Sequence, residues 1–297
     1  MYIRFTKLFL LFFLPIALFY ACGDDDDVRI KVVEEDSDGE SESVDASAYV
    51  RCIEVPALSE SDGVFVVHEA AYGSHKVMNY CLEFAPSAMH SRWVAFRFDG
   101  VTRQQTTGRS DEPFTDDPLL ASQYWIGSNY FPGYDRGHLC ASADRVWSSE
   151  ANVQTFYMSN MSPQIRDFNS GIWADFEIKL RTKGRDATFA DTVYVAKGGT
   201  IRSDQIIGSV VRNNSRKVSV PKYYFMAFLR CKYGSYDAIG VWLEHRTYSK
   251  EERANLKNYL VSIDQLEQET GIDFFANLPD NVETAVEASY NPTLWGF

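Results

Sequence analysis

Along the chain, short apolar blocks alternate with stretches rich in charges and turn-formers. VFVV (Val64–Val67), RWVAFRF (Arg92–Phe98), TVYVAKGG (Thr192–Gly199), YYFMAFLRC (Tyr223–Cys231) and AIGVWLEH (Ala238–His245) are dense in β-branched and aromatic residues, which predicts strands. A short turn around Gly234 separates the last two, so they read as a hairpin. Two later stretches carry helix-start signals instead. Ser249 with Glu252 makes a capping-box pattern ahead of ERANLKNYL, and Ser262 with Gln265 repeats it ahead of LEQETG, which stops at Gly271. Strands interleaved with a few helices predict an α+β domain rather than a regular doubly wound sheet.

The first 54 residues break this pattern. Arg4 and Lys7 precede a thirteen-residue apolar run from Leu8 to Tyr20, too short to span a bilayer but suited to a secretory signal, so residues 1–21 are expected to be removed. FYAC sets small Ala21 before Cys22, which resembles a bacterial lipoprotein signal and implies a lipid on Cys22. GDDDD (residues 23–27) resembles the acidic export tag of Bacteroides-type surface lipoproteins, so an exported, outer-membrane location is expected. Residues 22–45 hold eleven acids against Arg29 and Lys31, a net charge of −9. Like charges without apolar residues to bury predict a solvated tether, assigned to residues 22–54.

Charge then changes the picture of the remainder. The whole chain is formally −12, yet without its first 45 residues it is only −5, so bulk charge does not exclude a nucleic-acid substrate. With 45% hydrophobic and 14% aromatic residues, no internal repeat and no second linker, residues 55–297 read as one domain with a sizeable core. Cys52, Cys81, Cys140 and Cys231 form an even set, which permits zero, one or two disulfides in an exported chain. No CxxC spacing occurs, so a zinc cluster is not expected.

The candidate chemistry begins at GYDRGHLC, residues 133–140, where Arg136 and His138 flank a glycine. A histidine exchanges a proton near neutral pH and an arginine holds an anion, so the pair suits work on a phosphate. Downstream, Asn169, Trp173 and Glu177 are spaced i, i+4, i+8, which predicts one helix face on which an amide oxygen and a carboxylate converge on a hard cation with Trp173 packed beneath. Oxygen donors suit Mg²⁺.

DRGH (135–138), SNMSPQ (159–164) and FNxGxWxxxE (168–177), in this order, resemble the DNA/RNA non-specific endonuclease family, sugar-non-specific nucleases with a ββα-metal, or His-Me, finger. The likeness continues to TGIDFFANLPD and covers nearly all of residues 60–290. It implies an α+β fold with a mainly antiparallel sheet flanked by helices, and a metal-dependent endonuclease that hydrolyses DNA and RNA with little sequence preference. By the same resemblance, His138 is the general base that activates water. Asn169 is the direct ligand of Mg²⁺, with Mn²⁺ or another divalent ion able to serve, and the ion stabilises the leaving 3′ oxygen. Glu177 holds metal-bound waters, Asn160 orients the metal and histidine region, and Arg109, in TGRSDEPFTDDPLL, clamps the phosphate. Arg136 is expected to support the site by pairing with a carboxylate or phosphate, and Asp135 to orient a neighbour. Cys140 reads as a disulfide or packed cysteine rather than a reactive thiol. His68, His75, His90 and His245 have no motif around them and read as structural or exposed.

Arg166, Lys179, Arg181, Lys183 and Arg185 flank or follow the metal helix, as a basic track for a phosphate backbone or as a solvated helix end. DNA and RNA are thus the expected partners, with membrane contact only through the anchor. Two other readings stay open: a non-catalytic surface module that binds nucleic acid or a partner, and a metal-dependent hydrolase of a small phosphodiester.

Overall fold

The computed structural model describes residues 46–128, 130–211 and 216–297. The signal segment, Cys22 and the acidic run to residue 45 lie outside the described residues. Eleven strands are present among those described: β1 (Val64–Tyr72), β2 (His75–Ala85), β3 (His90–Phe98), β4 (Asp135–His138), β5 (Met161–Gln164), β6 (Thr192–Gly199), β7 (Ile206–Val211), β8 (Lys217–Pro221), β9 (Tyr223–Lys232), β10 (Ser235–Glu244) and β11 (Leu260–Val261). Seven of them form one sheet in the order β1-β2-β3-β6-β9-β10-β11, and each neighbouring pair is antiparallel. The predicted hairpin is present as β9 and β10, turning at Tyr233 and Gly234.

Both faces of this sheet are covered, which explains why its strands read as near-continuous apolar runs rather than alternating ones. In β9, Tyr224, Met226 and Phe228 join the core on one face, while Phe225, Ala227 and Leu229 join the core on the other. The first face carries Phe168, Trp173, Phe176 and Leu180, with Trp295 from α7 (Pro292–Trp295), and α1 (Ser149–Gln154) docks on β1, where Gln154 Nε2 donates to the Glu69 carbonyl at 2.7 Å. The second packs against α5 (Ile263–Thr270) and α6 (Asp280–Glu287) through Leu266, Phe274, Phe275 and Val286. The mixed α+β class and the mainly antiparallel sheet match the expectation. No helix among the described residues is long and apolar enough to cross a membrane.

Two local expectations change. Packed chain begins before the tether boundary expected at residue 54. Ala46–Ala48 forms a helical turn, Glu54 is fully buried 3.3 Å from Arg97, and Asn277 Nδ2 donates to the carbonyls of Val50 and Cys52 at 2.9 and 3.1 Å. The dense acids end at Asp45, and Tyr49, Val50 and Ile53 then have apolar surface to bury against the sheet, which offsets the cost of ordering them.

The stretch ERANLKNYL is not one helix. Ser249 and Glu252 do close their capping box, but α4 (Lys250–Arg253) lasts four residues before Leu260 and Val261 pair with Val241 and Gly240 at the sheet edge. Ladder pairing outweighs helix propensity there. By contrast α5 starts and stops as expected, with Ser262 Oγ accepting from the Gln265 amide at 3.1 Å and Gly271 closing it at φ +70°. The cysteine count resolves at zero disulfides, because Cys52, Cys81, Cys140 and Cys231 are all free and Cys140 is packed in the core.

Candidate active site

The site is built on a second, small hairpin. β4 pairs with β5 antiparallel, Asp135 opposite Gln164 and His138 opposite Met161, and the chain then enters a helical segment. Gly137 is required by close approach: a Cβ there would meet Gln164 Oε1 at 2.1 Å. Asn160, fully buried, clamps the loop after His138. Its Oδ1 accepts from the Cys140 amide at 2.8 Å, and its Nδ2 donates to the carbonyls of Cys140 and Thr155 at 2.9 and 2.8 Å. Every polar atom of that amide is used, so the loop that presents His138 has one position.

The helical segment is not the straight rod that an i, i+4, i+8 spacing predicts. A single turn, α2 (Arg166–Phe168), leads into a π-helical stretch over Asn169–Trp173, with Gly171 at φ −102° and ψ −118°, before α3 (Ala174–Arg185). Non-helical Gly171 breaks the segment with a kink, so Asn169 does not share one straight helix with Trp173 and Glu177. The structure gives the two expected metal residues separate partners. Asn169 Nδ2 donates to Asp135 Oδ2 at 3.3 Å on the cleft side, whereas Glu177 Oε1 accepts from Lys197 Nζ at 2.9 Å. Trp173 lies between them, buried, its Nε1 donating to the His138 carbonyl at 3.3 Å.

Glu177 belongs to an internal ion network. Lys197 on β6 is 1% exposed and also lies 3.4 Å from Asp144 Oδ2; Arg181 pairs with Asp144 through its Nε and sits 3.9 Å from Glu177. Arg145, fully buried, donates from Nε to the Asp144 carbonyl at 2.8 Å and stacks 4.6 Å from the Phe96 ring centre. Burial would raise the Asp144 carboxyl, but Arg181, Lys197 and Arg145 outweigh it and hold it below its ordinary value. Burial wins at Glu177, whose carboxyl is raised despite Lys197. Lys197 is itself raised, because Glu177 and Asp144 outweigh its desolvation.

His138 sits against this network between two rings, 5.8 Å from the Phe114 centre and 5.4 Å, edge to face, from Phe156. Its Nε2 is shielded from solvent and has no hydrogen-bond partner among the described residues. Burial, then the charges of Arg109, Lys197 and Arg136, push the ring down to about 3, so it is neutral at neutral pH. Arg109 is exposed, its guanidinium 4.7 Å from the Phe156 centre, and no acid pairs with it among the described residues.

Of the two partners expected for Arg136, a carboxylate or a phosphate, the structure lacks the carboxylate among the described residues; the Arg136 guanidinium lies 3.7 Å over Phe114 and donates to the Ser128 carbonyl at 2.7 Å. The nearest acid in sequence, Asp135, is already engaged by Arg166 at 3.0 Å and by Asn169, so Asp135 is the residue that orients neighbours. Asp135, Arg136, Arg166 and Asn169 line a cleft of about 580 Å³ with Phe114 and Tyr134. Asn169 meets Asp135 through its nitrogen, and its Oδ1 accepts no hydrogen bond among the described residues. A spare amide oxygen beside a carboxylate is a hard-oxygen donor set, and it fits a divalent ion of the Mg²⁺ kind.

The basic track is not one stripe. Positions four apart share a helix face, so Lys179 and Lys183 lie over the Phe297 and Phe189 rings, while Arg181 and Arg185 turn inward to Asp144 and the Ala143 carbonyl. Arg166 stays on the surface. His68, His90 and His245 are buried and hydrogen-bonded, and His75 is exposed. Lys197, Asp144 and Phe114 were not found by sequence reasoning. Lys197 did carry a signal, as the only charge within an otherwise apolar strand.

Comparison with known proteins identifies the family. A family model described as DNA/RNA non-specific endonuclease matches residues 62–281. A nuclease of Nostoc sp. is 30% identical over 228 residues, 70% of this chain and 75% of its own. Human mitochondrial endonuclease G is 28% identical over 218 residues, 67% and 68% of the two chains. A chain from a crystal structure of an EndoG/EndoGI complex superposes with a TM-score of 0.61 at 17% identity, over 82% of this chain and 96% of that one, a likeness of fold. With a family match across most of its length and a nuclease relative of this similarity, the chain belongs to the DNA/RNA non-specific endonuclease family and is a nuclease, a hydrolase.

Proposed function

We propose that the protein is a divalent-metal-dependent endonuclease that cleaves phosphodiester bonds of both DNA and RNA with little base preference. The observation that carries this reading is a neutral His138, its Nε2 unpartnered, ringed by the cations Arg109, Arg136 and Lys197. A neutral imidazole can take the proton of an attacking water, while surrounding cations favour a phosphate over other substrates. Asn169 and Asp135 would hold the ion, which supplies neutralisation of the charge that develops on the leaving 3′ oxygen. Arg109, exposed and without an acidic partner among the described residues, is available to hold a non-bridging phosphate oxygen as that charge develops. Trp173 holds the His138 carbonyl and Asn160 holds Cys140 two residues on. Recognition through phosphate alone carries no sequence information, hence the small base preference.

Incubation of the purified protein with supercoiled plasmid and with RNA tests the reading. Loss of both polymers in Mg²⁺, at least roughly 10³-fold slower in EDTA and restored by added Mg²⁺ or Mn²⁺, is the expected result. Intact polymers beside hydrolysis of a small bis-aryl phosphate would instead identify a small-diester hydrolase. Binding of both polymers without turnover in any divalent ion would identify a binding module.

We further propose export with a lipid on Cys22, on the strength of the apolar run, Ala21 and the acids after it. A labelled fatty acid fed to cells should enter the wild-type protein and not the Cys22→Ala variant; an unlabelled, freely released wild type would overturn the anchor.

A further inference from the structure

On the face of the sheet opposite the nuclease cleft, α5 and α6 bring three carboxylates together. Asp264 and Glu267 come from α5 and Glu287 from the last position of α6, and one oxygen of each lies within 4.8 Å of the others. Asp264 is exposed and Glu267 half-buried, so the cluster opens to solvent on one side. Glu287 is only 6% exposed, and its Oε1 is shielded with no hydrogen-bond partner among the described residues. A buried carboxylate oxygen without a donor is costly, and the surroundings do nothing to relieve it. The charges acting most strongly on Glu287 are those of Glu267, Glu283, Asp273 and Asp264, all acids. The C-terminal end of α6 adds the negative end of a helix dipole.

We infer that Asp264, Glu267 and Glu287 form a binding site for a hard divalent cation of the calcium type, separate from the nuclease cleft. Oxygens on one ion lie no further apart than twice the metal–oxygen distance, about 5 Å for Ca²⁺ and about 4 Å for Mg²⁺, so the cluster closes on Ca²⁺ with less movement of the helices. Glu267 is already oriented, because its Oε1 accepts from the Phe274 amide at 2.8 Å. Water on the open side would complete a shell that Ca²⁺ accepts in irregular geometry. The competing account is a shared proton: burial and the neighbouring acids push Glu287 up to about 8 and Glu267 up to about 7.

The test uses purified, EDTA-stripped protein carrying Asn169→Ala, which removes the proposed ligand in the cleft, titrated with Ca²⁺ by calorimetry and followed by thermal unfolding. One Ca²⁺ should bind with a Kd of about 0.1–1 mM, the range of extracellular modules. At roughly 10 mM Ca²⁺ the Tm should rise by about 3–6 °C, and by less in Mg²⁺. Glu287→Gln, and independently the surface change Asp264→Asn, should abolish the Ca²⁺-dependent rise, and in the wild-type background each should leave Mg²⁺-dependent nuclease activity unchanged. The inference fails if folded protein shows neither heat nor Tm shift, or if both variants keep the shift. It fails equally if Glu287→Gln merely stabilises the metal-free protein with no Ca²⁺ response, since the cluster then holds only a proton.

Discussion

Replacing His138 by alanine is expected to lower kcat on plasmid DNA and on RNA by about 10²–10⁴-fold, the usual contribution of a positioned general base, with cooperative unfolding retained. The expectation rests on placement. Trp173 holds the His138 carbonyl and Asn160 the Cys140 amide, and neither contact uses the imidazole. A variant that unfolds cooperatively and keeps activity within about tenfold of wild type would remove His138 from the mechanism. The ring also makes a pH statement. It protonates near 6.5 in the unfolded chain and near 3 in the folded one, so between those values the unfolded state binds more protons. His138 therefore costs stability as pH falls through that window and does not limit activity from about pH 8 down to about pH 5. Acid inactivation in the upper part of that range, with the fold intact, would show that the ring is more basic than its surroundings imply.

Lys197→Met should lower stability by about 3–5 kcal/mol, seen as a fall in Tm of roughly 10 °C, because it takes a buried cation from buried Asp144 and half-buried Glu177 and leaves Arg181 to serve both. Lys197 is 1% exposed and meets both Glu177, at 2.9 Å, and Asp144, at 3.4 Å. Removing one partner of a buried pair costs far more than the pair contributes. The double variant Lys197→Met, Glu177→Gln should recover part of the loss, since only Asp144 then depends on Arg181 and Arg145 alone. A single variant within about 1 kcal/mol of wild type would show that water reaches these carboxylates and that the network is not a closed one.

The two predictions draw on different kinds of legibility. His138 was readable because DRGH, SNMSPQ and FNxGxWxxxE stand in one order within about forty residues, and each names its own residue types. Lys197 was visible only as an oddity in TVYVAKGG. Its partners lie 20 and 53 positions away, and nothing local names them. The same limit explains β2, which was not anticipated. Asn79 interrupts its apolar run, but the structure buries that side chain because Ala151 and Gln154 accept from it at 2.8 and 2.9 Å.

By itself the sequence determined what acts over a few residues: the β9–β10 hairpin, the caps at Ser249, Ser262 and Gly271, the α+β class and the family its motifs point to. Capping, turn geometry and apolar spacing are short-range effects, so a reader of the chain meets cause and consequence together. Tertiary structure alone decided the kink at Gly171, the separate partners of Asn169 and Glu177, the shortening of α4 and the inward turn of Arg181. It also decided the neutrality of His138 and the meeting of Glu287 with Asp264 and Glu267. Each of these depends on desolvation and on charges brought together across the sheet, and both vary with distance in space, which spacing along the chain does not reveal.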